Sequence, residues 1–294
     1  MKRSMLFIPG NTPNLLINGN SLGADFVIFD LEDAIAPDEK DSARILVRNT
    51  LQYMDFRGVG TIVRINPIDT DYWKSDVDEM LKHAPDLIML PKAGCKEDIY
   101  IADAYVSEVE GRLGLEQGAV GIIALIETAK GIENAYTIAC ASSRVEALLL
   151  GAEDLTAELK CARTKEGHEI EYARNRLVTA ARAAGIDVYD TPFTDVEDDE
   201  GMRSDAALAK ALGFDGKAAI SPRHLAAINE AFSPSREDIE YAYEVMDAIR
   251  QAAEQGKGVA ALRGKMIDAP IVSRARQTIA MAKELGIGRE ADEK

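Results

Sequence analysis

The chain has 294 residues, of which 47% are apolar and 29% are charged, a mixture that is ordinary for a soluble globular enzyme. Its 34 basic and 50 acidic side chains give a net charge of −16, which disfavours a nucleic acid partner, although a local group of Arg and Lys could still hold a small anion. No apolar segment reaches the roughly 18 residues of a membrane helix, and the N-terminal apolar segment is too short for a secretory signal. We therefore expect a cytoplasmic protein that binds neither membranes nor nucleic acids.

Eight apolar segments of strand length recur along the chain, and amphipathic segments separate most of them. The apolar segments span residues 4–10, 25–33, 60–67, 86–92, 121–128, 146–154, 187–193 and 214–222. The amphipathic segments include residues 97–114, 169–185 and 200–213, and several end in Gly, as helices commonly do. Because the strands are apolar throughout instead of alternating, both of their faces should be buried, as in a parallel sheet covered by helices. The repeated βα order predicts a TIM (β/α)8 barrel over residues 1–222, in preference to an open doubly wound sheet.

The remaining residues, 223–294, contain no predicted strand and should form a helical C-terminal extension. Two segments have helical periodicity, residues 235–258 and 268–286, and the sequence VAALRGKM connects them. Amphipathic helices need a surface against which to bury their apolar side. We expect the extension to pack on the barrel, to pack on a neighbouring subunit, or to form a lid.

In a TIM barrel the active site lies at the carboxyl ends of the strands, and here polar side chains occur at most of those ends. They are Glu32 and Asp33 after strand 2, Arg64 in strand 3, Lys92 after strand 4, Glu127 after strand 5, Glu153 and Asp154 after strand 6, and Asp190 in strand 7. Loops are polar in any case, so each of these residues is weak evidence by itself. Their occurrence together at one rim predicts a functional site.

The fifth and sixth strand ends supply two carboxylates that could share a metal ion. Glu127 ends the run IIALI, and Asp154 follows LLLG on the adjacent strand. Two carboxylates with few competing soft ligands suit a hard divalent cation such as Mg²⁺, whose coordination is completed by substrate and water. The alternative is structural, because Glu127 could instead form an ion pair with Arg64 or Lys92.

Arg64 and the Gly151-Ala152 step could bind the carboxylate of a substrate. A charge inside the apolar run TIVRINP is costly unless it is paired, and a guanidinium matches a substrate carboxylate as well as it matches Glu32 or Asp33. Gly151 lets the backbone approach a ligand closely, and the amides around Ala152 and Glu153 could donate to a carboxylate. Metal, guanidinium and amides together indicate a site for a 2-oxo or 2-hydroxy acid, where carbon–carbon cleavage through an enolate is feasible.

Two other chemistries are disfavoured. The chain has no P-loop or GxGxxG segment, so nucleotide-dependent chemistry is not expected. A Schiff-base lysine at Lys92 or Lys217 remains conceivable, but the many carboxylates nearby oppose an uncharged amine. At Lys92 we expect instead a contact between its ammonium group and the substrate.

Nine stretches, in order along the chain, resemble the citrate lyase beta subunits, within the wider HpcH/HpaI aldolase-type group of metal-dependent citryl-, malyl- and citramalyl-CoA lyases. The stretches are RSMLFIPG, FDLEDAIAPDEKDSAR, TIVRIN, LPK, IALIET, LLLGAEDL, RTKEGHEIEYAR, GFDGKAAISP and GKMIDAPIVSRAR. This resemblance covers almost the whole sequence and implies a TIM barrel with a C-terminal helical extension. It also implies the cleavage of a citryl thioester, carried on an acyl carrier protein subunit or on CoA, into an acetyl thioester and oxaloacetate.

For single residues, the resemblance implies that Glu127 and Asp154 are the ligands of Mg²⁺. It also implies that Arg64 and Glu127 contact the oxaloacetate moiety. Glu32 and Asp33 match an acidic pair near the metal, which would orient Arg64 or a metal-bound water.

Asp268, in GKMIDAP, resembles the residue that this family brings to the barrel mouth as an acid/base, often from a neighbouring subunit. An Asp before Ala-Pro at a helix start is equally a good N-cap, so both alternatives stay open. The sequence departs from the family at Ser221-Pro222, where many relatives have His or Asn before the proline. This departure puts an acyl-carrier contact from that loop in doubt.

The resemblance further implies an alpha subunit and an acyl carrier protein (gamma) subunit as partners, and a homo-oligomer such as a trimer or hexamer. A stand-alone lyase or thioesterase acting on malyl-CoA or citramalyl-CoA is the alternative within the same superfamily. An alternative of another class is a subunit that mainly scaffolds its alpha and acyl-carrier partners.

Overall fold

The computed structural model describes residues 2–254 and 260–288. The chain divides into two compact units, of which the first is Lys2–Glu230 and the second begins at Ala231. No described helix is long and apolar enough to cross a membrane. The first unit contains all eight predicted strands, so it holds the strand ends at which the functional site is expected.

Eight parallel strands of the first unit close into a barrel, which confirms the fold expected from the sequence. They are β1 (Ser4–Pro9), β2 (Phe26–Asp30), β3 (Gly60–Arg64), β4 (Leu87–Leu90), β5 (Gly121–Ile126), β6 (Val145–Leu150), β7 (Asp187–Asp190) and β8 (Gly216–Ala219). Each strand pairs with the next in sequence, and β8 closes the barrel by pairing with β1. Helices cover the outside of a closed parallel barrel and side chains fill its inside, so the strands can be apolar on both faces.

The interior of the barrel is packed with buried apolar side chains, at least one from each strand. They include Met5, Ile28, Ile62, Met89, Ile123, Leu149, Tyr189 and Ala218. A filled interior is a core and not a pore, so a ligand can bind only at the ends of the barrel. The polar residues singled out above lie at the end where the strands terminate.

Eight helices of the first unit follow the strands. They are α1 (Pro13–Asn18), α2 (Lys40–Tyr53), α3 (Trp73–Met80), α4 (Lys96–Leu113), α5 (Ala129–Ala139), α6 (Ala152–Glu158), α7 (Glu171–Ala184) and α8 (Asp199–Leu212). The helices α4, α7 and α8 correspond to the three amphipathic segments predicted to be helical. Each of the three is followed by a glycine in the left-handed region, Gly114, Gly185 and Gly213. This conformation is unfavourable for residues with a Cβ, which explains why Gly marks these helix ends.

The second unit contains two long helices. The chain enters it through α9 (Leu225–Phe232) and continues in α10 (Arg236–Glu254) and α11 (Ala269–Glu284). These helices agree with the predicted helical segments 235–258 and 268–286, except that residues 255–258 lie outside the described part of the chain.

The extension is helical as expected, but it also contains a short hairpin that was not predicted from the sequence. β9 (Ala260–Leu262) and β10 (Lys265–Ile267) pair in antiparallel fashion between α10 and α11. Arg263 and Gly264 connect them with φ angles of 50° and 78°, the two left-handed residues that a tight hairpin turn requires. Strands of three residues are too short for a readable alternation, so the hydrophobic pattern did not reveal them.

Candidate active site

A cavity of about 410 Å³ opens at the carboxyl ends of the barrel strands. Its polar wall includes Arg64, Glu127 and Asp154, and its larger apolar wall includes Phe7 and Pro192. A mostly apolar pocket with a few convergent charged groups is the usual form of a small-molecule site. The cavity lies where TIM barrels carry their catalytic residues. Of the predicted polar strand ends, Asp33, Arg64, Glu127, Glu153 and Asp154 line it.

Arg64, the last residue of β3, is held in a bidentate ion pair by Asp30, the last residue of β2. Nε and Nη2 of Arg64 lie 2.7 and 2.6 Å from the two carboxylate oxygens of Asp30. The guanidinium carbon also lies 5.1 Å from the centre of the Phe7 ring. Asp30 was not predicted from the sequence. The sequence did contain a signal, since Asp30 is a charged residue at the end of an apolar strand, as Arg64 is. The two residues are direct partners in the β2–β3 register.

Glu32 and Asp33 complete the carboxylate shell of Arg64. Nη1 of Arg64 lies 2.9 Å from Glu32 and 3.7 Å from Asp33. Burial lowers the pKa of Arg64, but the carboxylates of Asp30, Glu32 and Asp33 outweigh it and raise the pKa, so the guanidinium is always charged. The structure therefore contains the expected ion pairs of Arg64 with Glu32 and Asp33. The contact of Arg64 with a substrate carboxylate stays a prediction.

Lys92, which follows β4, contributes both its side chain and its backbone. Nζ lies 3.0 Å from Oε1 of Glu32, and the backbone amide donates to Oε1 of Glu127 at 2.7 Å. The residue has a φ of 54°, a left-handed conformation that costs a residue with a Cβ roughly 1–2 kcal/mol. Burial lowers the pKa of the ammonium, but Glu32 outweighs it and raises the pKa. Lys92 is therefore charged and unsuited to forming a Schiff base.

Glu127, which follows β5, is a buried carboxylate with a strongly shifted pKa. Burial raises its pKa to about 8, and the neighbouring carboxylates of Glu32 and Asp154 add to the effect. Among the described residues, Glu127 forms no ion pair with Arg64 or Lys92. The side chains of Arg64 and Lys92 are paired with other carboxylates, and Glu127 accepts its hydrogen bond from the Lys92 backbone amide. The structural alternative for Glu127 is therefore not realised in the described part of the chain.

The turn from β6 into α6 carries the second carboxylate of the predicted pair, Asp154. The amide of Gly151 donates to the carbonyl of Ile126 at 2.9 Å, and the amide of Ala152 donates to Oγ1 of Thr191 at 3.2 Å. The expectation that the Ala152 amide is free for a substrate carboxylate was wrong, because Thr191 occupies it. Thr191 has no local sequence signal, since it becomes an acceptor only through the alignment of β6 with β7.

The two adjacent acids at the start of α6 differ in their surroundings. The Glu153 side chain is 59% exposed and lies 3.6 Å from Nε of Arg163. Both acids line the cavity, but Asp154 is less exposed and is close enough to Glu127 to raise the pKa of that carboxyl. Asp154 is therefore the one of the two acids that can share a cation with Glu127.

Five charged side chains that line the cavity, together with Glu32 and Lys92, which form ion pairs beside it, make up a group that we call the mouth cluster. They are Asp30, Glu32, Asp33, Arg64, Lys92, Glu127 and Asp154. When all are ionised, five carboxylates and two cations leave an excess of three negative charges, which suits a divalent cation. No group of three or more His, Cys, Asp or Glu within residues 2–254 and 260–288 is arranged as a metal site. Mg²⁺ commonly uses only one or two carboxylates, so the pair of Glu127 and Asp154 fits this ion.

A second set of charges, which we call the sealed cluster, is made of Arg174, Asp190, Asp205 and Lys217. Nζ of Lys217 lies 2.6 Å from a carboxylate oxygen of Asp190 and 2.6 Å from one of Asp205. Nη2 of Arg174 lies 2.8 and 2.7 Å from the same two residues, and all four side chains are buried. The expectation that Asp190 lies on the polar rim was wrong, because it is enclosed in this cluster. Nζ of Lys217 is paired with two carboxylates and its side chain has no exposed surface, so no substrate carbonyl can reach it in this structure to form a Schiff base.

Asp268 lies in the second unit, where it caps α11. Its Oδ1 accepts a hydrogen bond from the amide of Ile271 at 3.1 Å, with Pro270 in the first turn of the helix. The N-cap alternative is therefore realised, and the acid/base role stays a prediction. Ser221 accepts a hydrogen bond from the amide of Arg223 at 3.3 Å and so caps the helical turn after β8.

The closed parallel barrel and the charged cavity at the ends of its strands define a TIM-barrel enzyme. Residues 3–222 match the model of the HpcH/HpaI aldolase/citrate lyase family. The chain belongs to this family, which makes the protein a carbon–carbon lyase.

Known relatives match the chain over nearly its full length. It is 41% identical to the citrate lyase subunit beta of Haemophilus influenzae, with 99% of each chain covered. It is 35% identical to the L-malyl-CoA/beta-methylmalyl-CoA lyase of Cereibacter sphaeroides, with 96% of this chain and 94% of that relative covered. Among solved structures, CitE of Mycobacterium tuberculosis in complex with magnesium, acetoacetate and coenzyme A has a TM-score of 0.76 and 31% identity, covering 96% of this chain and 98% of that one. The resemblance to citrate lyase beta subunits that the sequence motifs indicate is thereby confirmed.

Proposed function

We propose that the protein is a Mg²⁺-dependent lyase that cleaves a citryl thioester into oxaloacetate and an acetyl thioester, as the beta subunit of a citrate lyase. The observation that carries the proposal is the mouth cluster, in which two metal-suited carboxylates and a fixed guanidinium face one cavity. The 41% identity to the H. influenzae citrate lyase subunit beta supports the choice of the citryl group.

Glu127 and Asp154 would hold the metal ion. Mg²⁺ bound there would polarise the hydroxyl and carboxylate oxygens of the substrate and stabilise the negative charge that develops on them. Because the pKa of Glu127 is about 8 in the free protein, this carboxyl has to lose its proton before it can act as a ligand.

Arg64 is suited to hold a carboxylate of the citryl group. Asp30 and Phe7 fix the guanidinium in position, so little orientational freedom is lost when substrate binds. Lys92, whose side chain is 44% exposed, is suited to contact the second carboxylate that distinguishes the citryl group from smaller acyl groups.

Asp33 is the half-exposed carboxylate of the cavity and is suited to remove the proton of the substrate hydroxyl, while Glu32 holds Arg64 and Lys92 in place. When the hydroxyl proton passes to Asp33, the carbon–carbon bond breaks and its electron pair moves into the thioester enolate. The other fragment leaves as oxaloacetate. Protonation of the enolate carbon, which we assign to Asp268, then gives the acetyl thioester.

The assembly around this site belongs to the same proposal. We assign residues 1–222 to the catalytic barrel and residues 223–294 to an extension that brings Asp268 to a barrel mouth, in the same subunit or in a neighbouring one. A homo-oligomer such as a trimer or hexamer would allow the second arrangement. The citrate lyase relatives are beta subunits, which supports an assembly with other subunits, and we assign an alpha subunit and an acyl carrier protein as these partners.

The second candidate function is a lyase or thioesterase acting alone on malyl-CoA or citramalyl-CoA. The 35% identity to the C. sphaeroides malyl-CoA lyase and the coenzyme A in the M. tuberculosis CitE complex favour it. A mainly scaffolding subunit, the third candidate, has no need of the unbalanced charge in the mouth cluster.

Turnover by the purified protein separates these functions. We expect Mg²⁺-dependent cleavage of citryl-CoA, with oxaloacetate and acetyl-CoA formed in equal amounts and the reaction abolished by a chelator. Faster cleavage of malyl-CoA or citramalyl-CoA, giving glyoxylate or pyruvate, would favour the second candidate, and release of free CoA would identify a thioesterase. A protein that binds its partners but turns over none of the three thioesters, nor citryl carried on the acyl carrier protein, would be a scaffold.

A further inference from the structure

The turn that carries Asp154 has no capping side chain of its own. α6 follows Gly151, and a Cβ at that position would lie only 2.6 Å from Cβ and 2.7 Å from Oε2 of Glu127. Glycine is therefore required where a helix would ordinarily have a Ser, Thr, Asp or Asn cap. The first amides of a helix lack partners within the helix, and Ala152 is 1% exposed. An acceptor for its buried amide has to come from elsewhere in the barrel.

Thr191, directly after β7, supplies that acceptor. Its Oγ1 accepts the hydrogen bond of the Ala152 amide at 3.2 Å. Its carbonyl accepts a hydrogen bond from Nζ of Lys217 at 2.6 Å, so the sealed cluster fixes its main chain. Thr191 is 1% exposed and lines the cavity. Thr191 thus connects the sealed cluster to the turn between β6 and α6.

We propose that Thr191 is a positioning residue of the metal site. Its hydroxyl holds the Ala152 amide, and this bond fixes the turn so that Asp154, two residues further on, faces Glu127. The neighbouring Gly151 amide is held by the carbonyl of Ile126, so consecutive amides of the turn are anchored on the two strands beside β6. The inference rests on the proposed function, because it assumes that Asp154 is a ligand of Mg²⁺.

Two substitutions at Thr191 and one control test this inference. Thr191→Val has nearly the shape of threonine but no acceptor, whereas Thr191→Ser retains the hydroxyl. The control is Thr156→Val on the same helix, because Oγ1 of Thr156 donates to the carbonyl of Ala152 at 2.9 Å and does not hold the Ala152 amide. Mg²⁺ affinity is measured by isothermal titration calorimetry on the full chain, and folding is checked by circular dichroism.

We expect Thr191→Val to weaken Mg²⁺ binding by about ten-fold or more, as loss of an outer partner of a metal ligand typically does. Thr191→Ser and Thr156→Val should stay close to the wild-type affinity. Because the defect lies in placing a ligand, turnover by Thr191→Val should recover largely at saturating Mg²⁺. If the valine variant does not fold, Thr191→Ala carries the same expectation.

The possible results separate the inference from the function on which it rests. A wild-type protein that binds no Mg²⁺ overturns the proposed function and this inference with it. Mg²⁺ binding by Thr191→Val that equals the wild type, or an equal loss in Thr191→Ser, overturns the inference alone. The same holds if Thr156→Val weakens binding as much as Thr191→Val does.

Discussion

The mouth cluster and the sealed cluster are both built from carboxylates and cations at strand ends of one barrel, but they differ in charge balance and in access. In the sealed cluster Arg174 and Lys217 face Asp190 and Asp205, so two positive charges balance two negative ones, and all four side chains are buried. In the mouth cluster five carboxylates face two cations beside an open cavity. The charges of the sealed cluster balance, whereas the mouth cluster has an excess of negative charge that a bound cation can neutralise.

The pKa shifts of one carboxyl in each cluster reflect this difference. For Asp205, burial raises the pKa, but Lys217 and Arg174 outweigh it and hold the pKa below its ordinary value. For Glu127, burial raises the pKa to about 8, and the nearby carboxylates of Glu32 and Asp154 push it in the same direction. A carboxyl that resists ionisation beside a cavity indicates a binding function, whereas one that is stabilised by fixed cations indicates a structural role.

Removing Lys217 should have the largest effect on stability. Lys217→Met leaves two carboxylates in the sealed cluster with one cation, and loss of one partner of a buried ion pair costs about 3–5 kcal/mol. The free energy of unfolding in urea measures this cost. The matched control is Lys92→Met in the mouth cluster, where the lysine side chain is 44% exposed, so the loss of stability should be smaller. Equal losses in the two variants would contradict the distinction between the clusters.

Removing Asp154 should have the largest effect on activity. Asp154→Asn keeps the size of the side chain but removes one ligand charge, and we expect turnover to fall about 1000-fold, equivalent to about 4 kcal/mol of transition-state stabilisation. Glu153→Gln is the control, because Glu153 is the adjacent acid of the same helix and is 59% exposed. Steady-state rates at several Mg²⁺ concentrations distinguish the two. Full activity in Asp154→Asn would reject Asp154 as a ligand.

Substitution of Asp268 tests whether the reaction needs an acid from outside the mouth cluster. Asn is as good an N-cap as Asp, so Asp268→Asn should preserve the cap of α11 and the stability of the protein while removing any acid/base function. If Asp268 protonates the enolate, turnover should fall about 100-fold in this variant. Asp268→Ala should lose the same activity and also about 1 kcal/mol of stability. Unchanged turnover by a stable Asp268→Asn variant would restrict Asp268 to capping.

The barrel could be predicted from the sequence because each strand is a continuous apolar run between segments of helical period. Residues such as Ile62 and Ile123 are buried whatever the detailed register, so their pattern alone reports the fold. The hairpin β9–β10 could not be read in this way. Its signal is a turn of two residues, Arg263 and Gly264, between strands too short to show a period.

The site could be predicted only where a charge stood out against its local sequence. Arg64 and Glu127 interrupt or end apolar runs and were identified for that reason. Asp30 is also a charge in an apolar run, but only the β2–β3 register shows that it lies opposite Arg64. Thr191 has no local signal and acquires its role only by lying beside Ala152. Asp190 illustrates the converse, because a polar residue at a strand end turned out to be enclosed by cations contributed from α7 and β8.

The pH dependence of Mg²⁺ binding sharpens the comparison further, because Glu127 of the mouth cluster should titrate near neutral pH, whereas the pKa of Asp205 in the sealed cluster is held below its ordinary value. The pKa of Glu127 is raised from 4.5 to about 8, so the neutral carboxyl stabilises the metal-free protein below about pH 4.5, and this contribution is lost as the pH rises through 8. A cation needs the ionised form, so binding should release a proton and strengthen about ten-fold per pH unit, or about 1.4 kcal/mol, until it levels off near pH 8. Calorimetric titrations in buffers of different ionisation enthalpy measure both the affinity and the proton release. The Glu127→Gln variant should bind Mg²⁺ weakly and with an affinity that does not change with pH, whereas Glu153→Gln should keep the pH dependence of the wild type. A wild-type Mg²⁺ affinity that is constant between pH 6 and 8 would show that Glu127 is not the titrating ligand.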